Sequence, residues 1–544
     1  MMTASKTTAI VLGVAALVYA GGKGIQPKPD EPQFLTSDRC QACHNGLVTA
    51  SGRDVSIGAH WRATMMANSS HDPYWMAGVR RESIDHPESQ ADIEDECSVC
   101  HMPITRYEAH LRGKKGEIFS HLPIRTDEPE MQQAADGVSC SVCHQITPER
   151  FGKPESYNGG FVARKPEPDG TRIEYGPFAI DRGRMRIMRS STEGYRPEQG
   201  THIRESELCA SCHTLATTAL GPGGKDIGSL PEQMPYPEWL HSGYRNTQSC
   251  QSCHMPAIAE PAPISRVLGE PRKGARLHSF VGGNFFMLSL LNRYRDELGV
   301  TALATELTQG VEYTLENLKT RAATVAIENV STTAEPGRLR AEVVIHNKNG
   351  HKLPTAYPSR RAWIHLVVRD AQGRAVFESG ALGADGAIAG NDGDADATRY
   401  EPHYSEIREP GQVQIYETVM GDVNGLPTTG LLTGVRYLKD NRLLPEGFDK
   451  QTASRDVAVV GDALTDPAFS GGGHRVRYSV ALGGASGPYT VEAELLYQPI
   501  AYRWAHNLER YSNAMEPKRF LRFYNSMQSS TGTAMATASV RVDR

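Results

Sequence analysis

The feature that most constrains this 544-residue chain is the placement of its ten cysteines. They form five pairs with two residues inside each pair, and a histidine directly follows every second cysteine. The strings read CQACH, CSVCH, CSVCH, CASCH and CQSCH, and no cysteine is left over. The pairs are Cys40/Cys43, Cys97/Cys100, Cys140/Cys143, Cys209/Cys212 and Cys250/Cys253.

This string is the attachment motif of c-type haem. Two thiols a short turn apart can add to the two vinyl groups on one haem edge, and the adjacent imidazole then reaches the iron from one face. The sequence therefore predicts five covalently bound haem c groups. The predicted proximal iron ligands are His44, His101, His144, His213 and His254.

Two other uses of paired cysteines fit less well. A zinc framework has no reason to place a histidine directly after every second cysteine. Disulfides within the pairs would close very small loops and constrain little. Disulfides form in an oxidising compartment, and haem is attached to cytochromes c in the same compartment. The compartment therefore does not favour disulfides over haem.

Length and charge describe a mildly acidic, multidomain protein. A chain of 544 residues predicts about two to four domains, and we expect two. Lys and Arg number 58 against 63 Asp and Glu, so the chain lacks the basic surplus of a nucleic-acid-binding protein. Aromatic residues make up only 7% of the chain, which is low for this size unless haem fills part of the core.

The N-terminus, residues 1–22, has the pattern of a signal peptide. A single Lys6 precedes the apolar run Ala9–Ala20, and Val18 and Ala20 stand at the −3 and −1 positions of a cleavage site. Twelve apolar residues fall short of the roughly 20 that cross a bilayer, although an uncleaved N-terminal membrane anchor stays an alternative. Export agrees with covalent haem attachment, so the expected location is the periplasm or the cell surface.

The fold class expected from the residue pattern is a mostly helical or irregular multihaem cytochrome c domain followed by an all-β sandwich. The haem motifs lie within residues 34–320, among Gly, Pro and polar segments that predict short helices and long loops. Apolar residues at three- and four-residue intervals then predict a closing helix up to about Lys319.

Beyond that helix, apolar and polar residues alternate, which predicts half-buried strands in a β-sandwich over residues 322–500. Residues 501–544 predict two short helices and a final strand, Thr537–Val542. The other predicted strands are Leu339–Asn347, Ala362–Asp370, Gln412–Met420 and the alternating runs around residues 476–482 and 489–497.

Fourteen further histidines can supply a sixth ligand to the five irons. His278, in the segment before the closing helix, and His202, seven residues before Cys209, are the leading candidates in the haem half. The Asp-His-Pro segment around His86 indicates that this residue lies in a turn. Met65 and Met66 are the candidates for a sulfur ligand. The other candidates in this half are His121, His71 and His60.

One further candidate lies in the predicted sandwich. His351 stands in a loop framed by Gly350 and Pro354 between two strands, where the simple interpretation is a surface turn. We also consider it as a distal ligand contributed across the domain interface, which would explain why the sandwich is attached.

An acidic loop predicts a second kind of site. Asp392, Asp394 and Asp396 alternate along the chain as in calcium loops, but the glycine and final glutamate of an EF-hand are missing at the expected offsets. The alternatives are a solvated acidic turn and a structural Ca²⁺ site.

On these motifs the chain resembles the multihaem cytochromes c of respiratory bacteria in which a CxxCH-rich domain is followed by a β-sandwich. The resemblance implies electron transfer through closely stacked haems, mainly with two histidine ligands each, in respiratory chains that end at or beyond the cell envelope. Besides the five strings, the segments that carry it are Trp61–Asn68, Ser206–Ala210, His278–Phe280 and Gly350–Thr355.

A non-catalytic electron carrier is therefore the first functional expectation, with no catalytic residue assigned. Its partners would be quinol-linked or periplasmic donors and downstream cytochromes or reductases. Related haem packings also occur in reductases of nitrite, hydroxylamine or sulfur oxyanions, several of which use a CxxCK motif that this chain lacks. A subunit of a conductive extracellular filament, which would be a homo-oligomer, is the further alternative.

Overall fold

The computed structural model describes residues 32–543 apart from 126, 127 and 193. The signal-peptide prediction for residues 1–22 lies outside the described residues. In the part of the chain that is described, helices and short strands occupy the first half and long strands the second, as expected for a multidomain helical and β protein.

The haem half, by which we mean the described residues up to 284, consists of short helices joined by loops, because Gly, Pro and polar residues interrupt every apolar run. Helices α1–α11 are Asp38–His44, Ile57–Arg62, Pro73–Asp85, Gln90–His101, Pro103–Leu111, Pro129–Ala135, Cys140–Gln145, Arg182–Ser191, Ser206–Ala210, Pro235–Leu240 and Cys250–His254. Two small sheets accompany them, β1 (Arg172–Gly176) parallel to β2 (Tyr195–Gln199), and β3 (Leu215–Gly221) antiparallel to β4 (Lys225–Gln233).

Three helices, α12 (Phe285–Arg293), α13 (Arg295–Leu298) and α14 (Ala304–Asn317), connect the two halves. A π-helical turn, Leu318–Ala322, ends α14 and leads into the first long strand. The predicted closing helix is thus present. Its apolar face, with Leu307 and Leu318, joins the same core as the sandwich.

The second half forms two sheets. Their strands are β5 (Ala323–Ser331), β6 (Arg338–Asn347), β7 (Arg361–Arg369), β8 (Ala375–Ser379), β9 (Glu406–Ile407), β10 (Ile415–Gly421), β11 (Pro427–Thr428), β12 (Arg436–Asp440), β13 (Phe469–Ser470), β14 (Gly473–Ala481), β15 (Tyr489–Gln498) and β16 (Thr533–Val542). One sheet has the order β11-β10-β7-β15-β16, with β12 also on β10 and β8 also on β7. The other has the order β13-β14-β6-β5, with β9 beside β14.

Alternate residues of both sheets share one apolar core. Val343 of β6 and Val476 of β14 face Leu366 of β7 and Val491 of β15 in a single buried cluster. The period-two pattern therefore predicted the buried face of these strands correctly.

The remaining helices are α15 (Asp392–Ala395), α16 (Tyr502–His506) and α17 (Met515–Asn525). Helix α17 packs against α3 of the haem half, where Arg80 donates two hydrogen bonds of 2.9 Å to Glu516. Strand β16 pairs with β15 and belongs to the larger sheet. The C-terminal residues thus join the two halves.

Candidate functional site

Each of the five cysteine motifs lies on one helical turn. In a helix, residues i, i+3 and i+4 share a face, so both thiols and the following imidazole project to the same side. The motif at Cys209 runs past the end of α9, but the His213 amide still donates to the Cys209 carbonyl at 2.9 Å. All ten cysteines are free thiols, and none belongs to a group of three close potential metal ligands in the described residues.

Four of the five proximal histidines are oriented by a backbone carbonyl. Their Nδ1 atoms hydrogen-bond to carbonyl oxygens, which leaves the Nε2 lone pair for a metal, as is usual for ligating histidines. His213 makes no such bond within the described residues. The four pairs are His44 with Ile264 at 2.5 Å, His101 with Ser69 at 2.9 Å, His144 with Tyr175 at 2.5 Å and His254 with Val281 at 2.5 Å.

The same imidazoles are held neutral. Burial lowers the pKa of His101 to about 4, and burial followed by the nearby His351 lowers the pKa of His254 to about 4. The pKa values of His44, His144 and His213 are also lowered, chiefly by burial. A neutral ring keeps the lone pair that iron binding needs.

Thiols of different motifs lie next to one another. The Cys140 thiol hydrogen-bonds with that of Cys40 and raises its pKa, so the first and third motifs adjoin. The Cys100 thiol does the same to Cys212, which joins the second motif to the fourth. The Cys209 thiol of the fourth motif hydrogen-bonds with that of Cys250 in the fifth and also lies near Cys143 of the third. These contacts join all five motifs into one array.

The most informative histidine pair crosses the boundary between the two halves. The rings of His254 and His351 have centroids 6.1 Å apart and planes only 15° apart. An imidazole nitrogen binds a metal at about 2.0 Å, so two rings on opposite sides of one ion have centres about 6 Å apart. The His351 Nδ1 atom is 2.9 Å from the Lys352 carbonyl, which again leaves Nε2 free. The pair therefore fits a haem iron between the two rings.

A buried charge network holds the His351 loop in place. Glu238 of α10 accepts hydrogen bonds from the Lys352 amide at 3.1 Å and from the Thr355 hydroxyl at 2.5 Å. The Lys352 ammonium is 2.7 Å from Asp440 of β12, and Arg442 lies 2.7 Å from Asp440 and 2.8 Å from Glu238. The two positive and two negative groups compensate one another, as buried charges must.

Two more predicted ligands lie beside the first and third motifs. Burial, followed by His144, lowers the pKa of His278 to about 3, with His44 and His60 also close enough to contribute. The His278 Nδ1 atom is 3.2 Å from the Arg276 carbonyl. Two proximal and two candidate distal histidines thus surround one region, enough for two irons with two histidines each.

Three other candidates have different surroundings. His71 has Nδ1 2.7 Å from the Leu298 carbonyl and Nε2 2.9 Å from the Ala135 carbonyl, so both ring nitrogens already face oxygen atoms. His202 directs Nε2 at the Ile146 carbonyl, 2.9 Å away. His121 is partly exposed and has Nδ1 3.0 Å from the Glu117 carbonyl. Their roles as distal ligands stay predictions.

The surroundings of His213 differ from those of the other proximal histidines. Burial lowers the pKa of His213 most, and the positive charge of Arg360 lowers it further. Arg360 donates to the Thr355 carbonyl at 3.0 Å and has no carboxylate partner among the described side chains. A guanidinium without a counter-ion therefore faces the fourth motif from the His351 loop.

The predicted calcium loop contains paired carboxylates. Asp394 is 2.8 Å from Arg361 and Asp392 pairs with Arg399, while Asp396 accepts from the Thr398 amide at 2.8 Å. Guanidinium groups thus neutralise two of the three carboxylates. The Ca²⁺ site stays a prediction.

One buried cluster in the sandwich was not predicted from the sequence. His403 and His474 each direct Nε2 at the same Asp466 oxygen, at 3.1 and 3.3 Å. The side-chain amides of Gln414 and Asn441 both donate to Nδ1 of His403 at 3.1 Å, so the proton of this ring sits on Nε2 and points at Asp466. The cluster is therefore a satisfied hydrogen-bond network rather than a set of free metal ligands.

Comparison with known proteins supports the fold. No family model matches the chain. No curated protein sequence matches it. A pentahaem cytochrome c552 from Thermochromatium tepidum, known from its crystal structure, has a similar fold, with a TM-score of 0.52 and 15% sequence identity over 94% of this chain and 100% of that one. Within the described residues, no helix combines the length and apolar character that a membrane crossing requires. The chain thus has a fold like that of a multihaem cytochrome.

Proposed function

We propose that this protein is a pentahaem c-type cytochrome that transfers electrons in a respiratory chain of the cell envelope. The observation that carries the proposal is the opposed pair His254 and His351, with rings 6.1 Å apart beside one of five adjoining CxxCH turns. Such a pair closes both faces of an iron, which suits an electron carrier.

Bound haem would supply reversible one-electron chemistry at its iron. The residues of the chain would do the rest. Each cysteine pair would fix one haem covalently, and the carbonyl partner of each Nδ1 would hold the imidazole in one orientation. Glu238 and Lys352 would keep the His351 loop against the fifth motif, so that the ligand field of that iron changes little between its two charge states.

The proposed location is the periplasm or the cell surface. The signal-peptide pattern of residues 1–22 and the c-type attachment motifs both support export. The proposed partners are other redox proteins, namely quinol-linked or periplasmic donors and downstream cytochromes or reductases.

Electron paramagnetic resonance of the oxidised full-length protein tests the carrier role. We expect low-spin signals only, because closed coordination by two strong-field nitrogen ligands favours low spin. A high-spin signal from one haem that shifts when nitrite or hydroxylamine is added would overturn this role and identify a reductase.

A reductase is the second candidate, and the surroundings of His213 favour it. Within the described residues this histidine has no carbonyl partner like those of the other four, and the guanidinium of Arg360, which has no carboxylate partner there, lies nearby. A positive charge beside an open iron would attract a small oxyanion. Replacing Arg360 by Gln would then weaken the nitrite-dependent shift while leaving the number of haems at five.

A further inference from the structure

Helix α8 and the segment 264–273 form a basic surface, which we call the arginine face and define as residues 181–189 and 264–273. These two segments contain seven basic residues and two acidic ones in a chain whose net charge is −5. The basic residues are Arg182, Arg184, Arg186, Arg189, Arg266, Arg272 and Lys273.

The two segments contact each other directly. Arg184 Nε donates to the Leu268 carbonyl at 3.1 Å, and its guanidinium pairs with Glu270 at 3.1 Å and with Asp181. Arg272 donates to the Ala179 carbonyl at 3.0 Å, just before the helix. Both acidic residues of the arginine face are therefore neutralised by Arg184 alone.

Most of the remaining cations are free to meet a partner. Arg182, Arg186, Arg266 and Lys273 are exposed and have no carboxylate within reach among the described residues. The arginine face therefore presents a net positive charge that the described residues do not neutralise.

The arginine face lies over the first haem motif. The Ile264 carbonyl is 2.5 Å from Nδ1 of His44, and the Arg266 amide donates to the Cys43 carbonyl at 2.8 Å. The backbone of residues 264–266 therefore runs along the attachment turn, with the charged side chains on its outer side. A partner on this surface would be close to the first motif.

Two apolar side chains lie among these charges. Val267 is 45% exposed and Leu268 is 60% exposed. Interfaces commonly combine apolar contacts at the centre with a polar or charged rim. Redox partners usually dock over small areas and rely on charge for rapid, transient association.

The helix itself is not oriented like a membrane-binding one. An interfacial helix presents its apolar face outward to the lipid. In α8 the apolar Met185, Ile187 and Met188 are only partly exposed, whereas Arg182, Arg186 and Arg189 are exposed. The outward side is thus charged, which favours a protein surface of opposite charge.

We propose that the arginine face docks an acidic redox protein that exchanges electrons through the first motif. This inference rests on the proposed electron-transfer function. Each exchange moves one electron between the partner and the cytochrome, with no bond made or broken. Long-range attraction between opposite charges would raise the association rate at low ionic strength and lose this effect in salt.

The test uses the oxidised holoprotein and two donors in stopped-flow mixing. Reduced flavodoxin serves as the small acidic donor, and the methyl viologen radical cation serves as a cationic donor. The variant is Arg182→Glu with Arg186→Glu. The matched control is Arg436→Glu with Arg541→Glu, which reverses two exposed arginines of the sandwich and changes the net charge equally.

We expect the arginine-face variant to lower the flavodoxin rate constant about tenfold at low ionic strength, with the difference vanishing in high salt. The control variant should change it less than twofold, and the viologen rate should not fall in either variant. An equal loss in both variants, or no loss, would overturn the proposal. Binding to anionic phospholipid vesicles that needs Arg182 and Arg186, without a flavodoxin effect, would also overturn it. If viologen failed to reduce the wild-type protein, the electron-transfer function itself would fall.

Discussion

The two halves of this molecule obtain their cores in different ways. In the sandwich, alternate residues of two sheets and the connecting helices make one continuous apolar cluster. In the haem half a few buried apolar side chains, such as Ala77 and Leu230, join that cluster, and others fall into small separate clusters around Met102, Leu277 and Ile104. The side chains of the haem half alone do not make one core.

The two kinds of core show what each pattern in the sequence specifies. Period-two apolar residues specify a surface that other side chains can cover. Five CxxCH turns specify attachment points, and the bound groups rather than side chains would fill the space between them. The sandwich should therefore fold by itself, whereas the haem half should depend on its haems.

The largest expected effect comes from removing covalent attachment. With all ten cysteines replaced by serine, we expect the haem half to lose its fold while the sandwich keeps its own, because the large apolar cluster lies mainly in the sandwich and the connecting helices. Limited proteolysis with mass spectrometry of the fragments measures this. Cleavage before about residue 280 with a resistant C-terminal fragment is the expected outcome. Equal resistance of both halves would show that the haem half does not depend on its haems for folding.

A second prediction concerns the residue through which the sandwich reaches the haem half. In His351→Ala we expect one haem of five to lose its low-spin signal, since the ring opposite His254 is gone. The haem count should stay at five because the cysteines are intact. His365→Ala, in the same domain on β7, is the control and should leave all signals unchanged. Unchanged spectra in His351→Ala would show that His351 is not an iron ligand.

A third prediction probes the sandwich alone. Asp466→Ala should destabilise the protein by about 3 kcal/mol, because two buried imidazole N–H donors lose their shared acceptor. Urea denaturation followed by circular dichroism measures the change. Asp456→Ala removes an exposed carboxylate and should cost much less. Similar losses in the two variants would mean that the buried network contributes little.

The effect that is smallest near neutral pH is a dependence of the sandwich on acid. Burial, followed by the neighbouring His474, lowers the pKa of His403 to about 3 from its ordinary 6.5. Between these values the unfolded chain binds a proton that the folded one does not, so stability is full above pH 6.5 and decreases as the pH falls towards 3. Burial raises the pKa of Asp466, but the hydrogen bonds that its carboxylate accepts lower it by more. Protonation of Asp466 therefore reduces the stability of the fold further at still lower pH.

Melting temperature measured against pH tests this dependence. In His403→Gln we expect a flatter profile between pH 6 and 4, since the group that takes up the proton is gone. His365→Gln serves as the control. A profile as steep as that of the wild type would contradict the assignment to His403.

Much of the fold could be predicted from the local pattern. The strands predicted at Leu339–Asn347 and Ala362–Asp370 occur as Arg338–Asn347 and Arg361–Arg369, because period-two burial is a local property of the chain. The strand order could not be predicted. Nothing in β7 or β15 shows that they pair with each other across more than a hundred residues.

The same division holds for the site. The proximal histidines follow from the motif, and Gly350 and Pro354 drew attention to His351 as a loop residue. The carbonyl partners of the proximal rings could not be predicted, because Ile264 lies 220 residues from His44. The His403, Asp466 and His474 network was missed since each residue by itself has an ordinary sequence context, and only the fold of β14 and the preceding loop brings them together.

The central claim is that each of the five cysteine motifs binds one haem. Pyridine haemochrome quantification combined with the intact mass of the purified full-length protein tests it directly. We expect five covalently bound haems per chain, and four in a variant with Cys250 and Cys253 replaced by serine. A wild-type protein with fewer than five haems, or one whose count is unchanged by that variant, would contradict it.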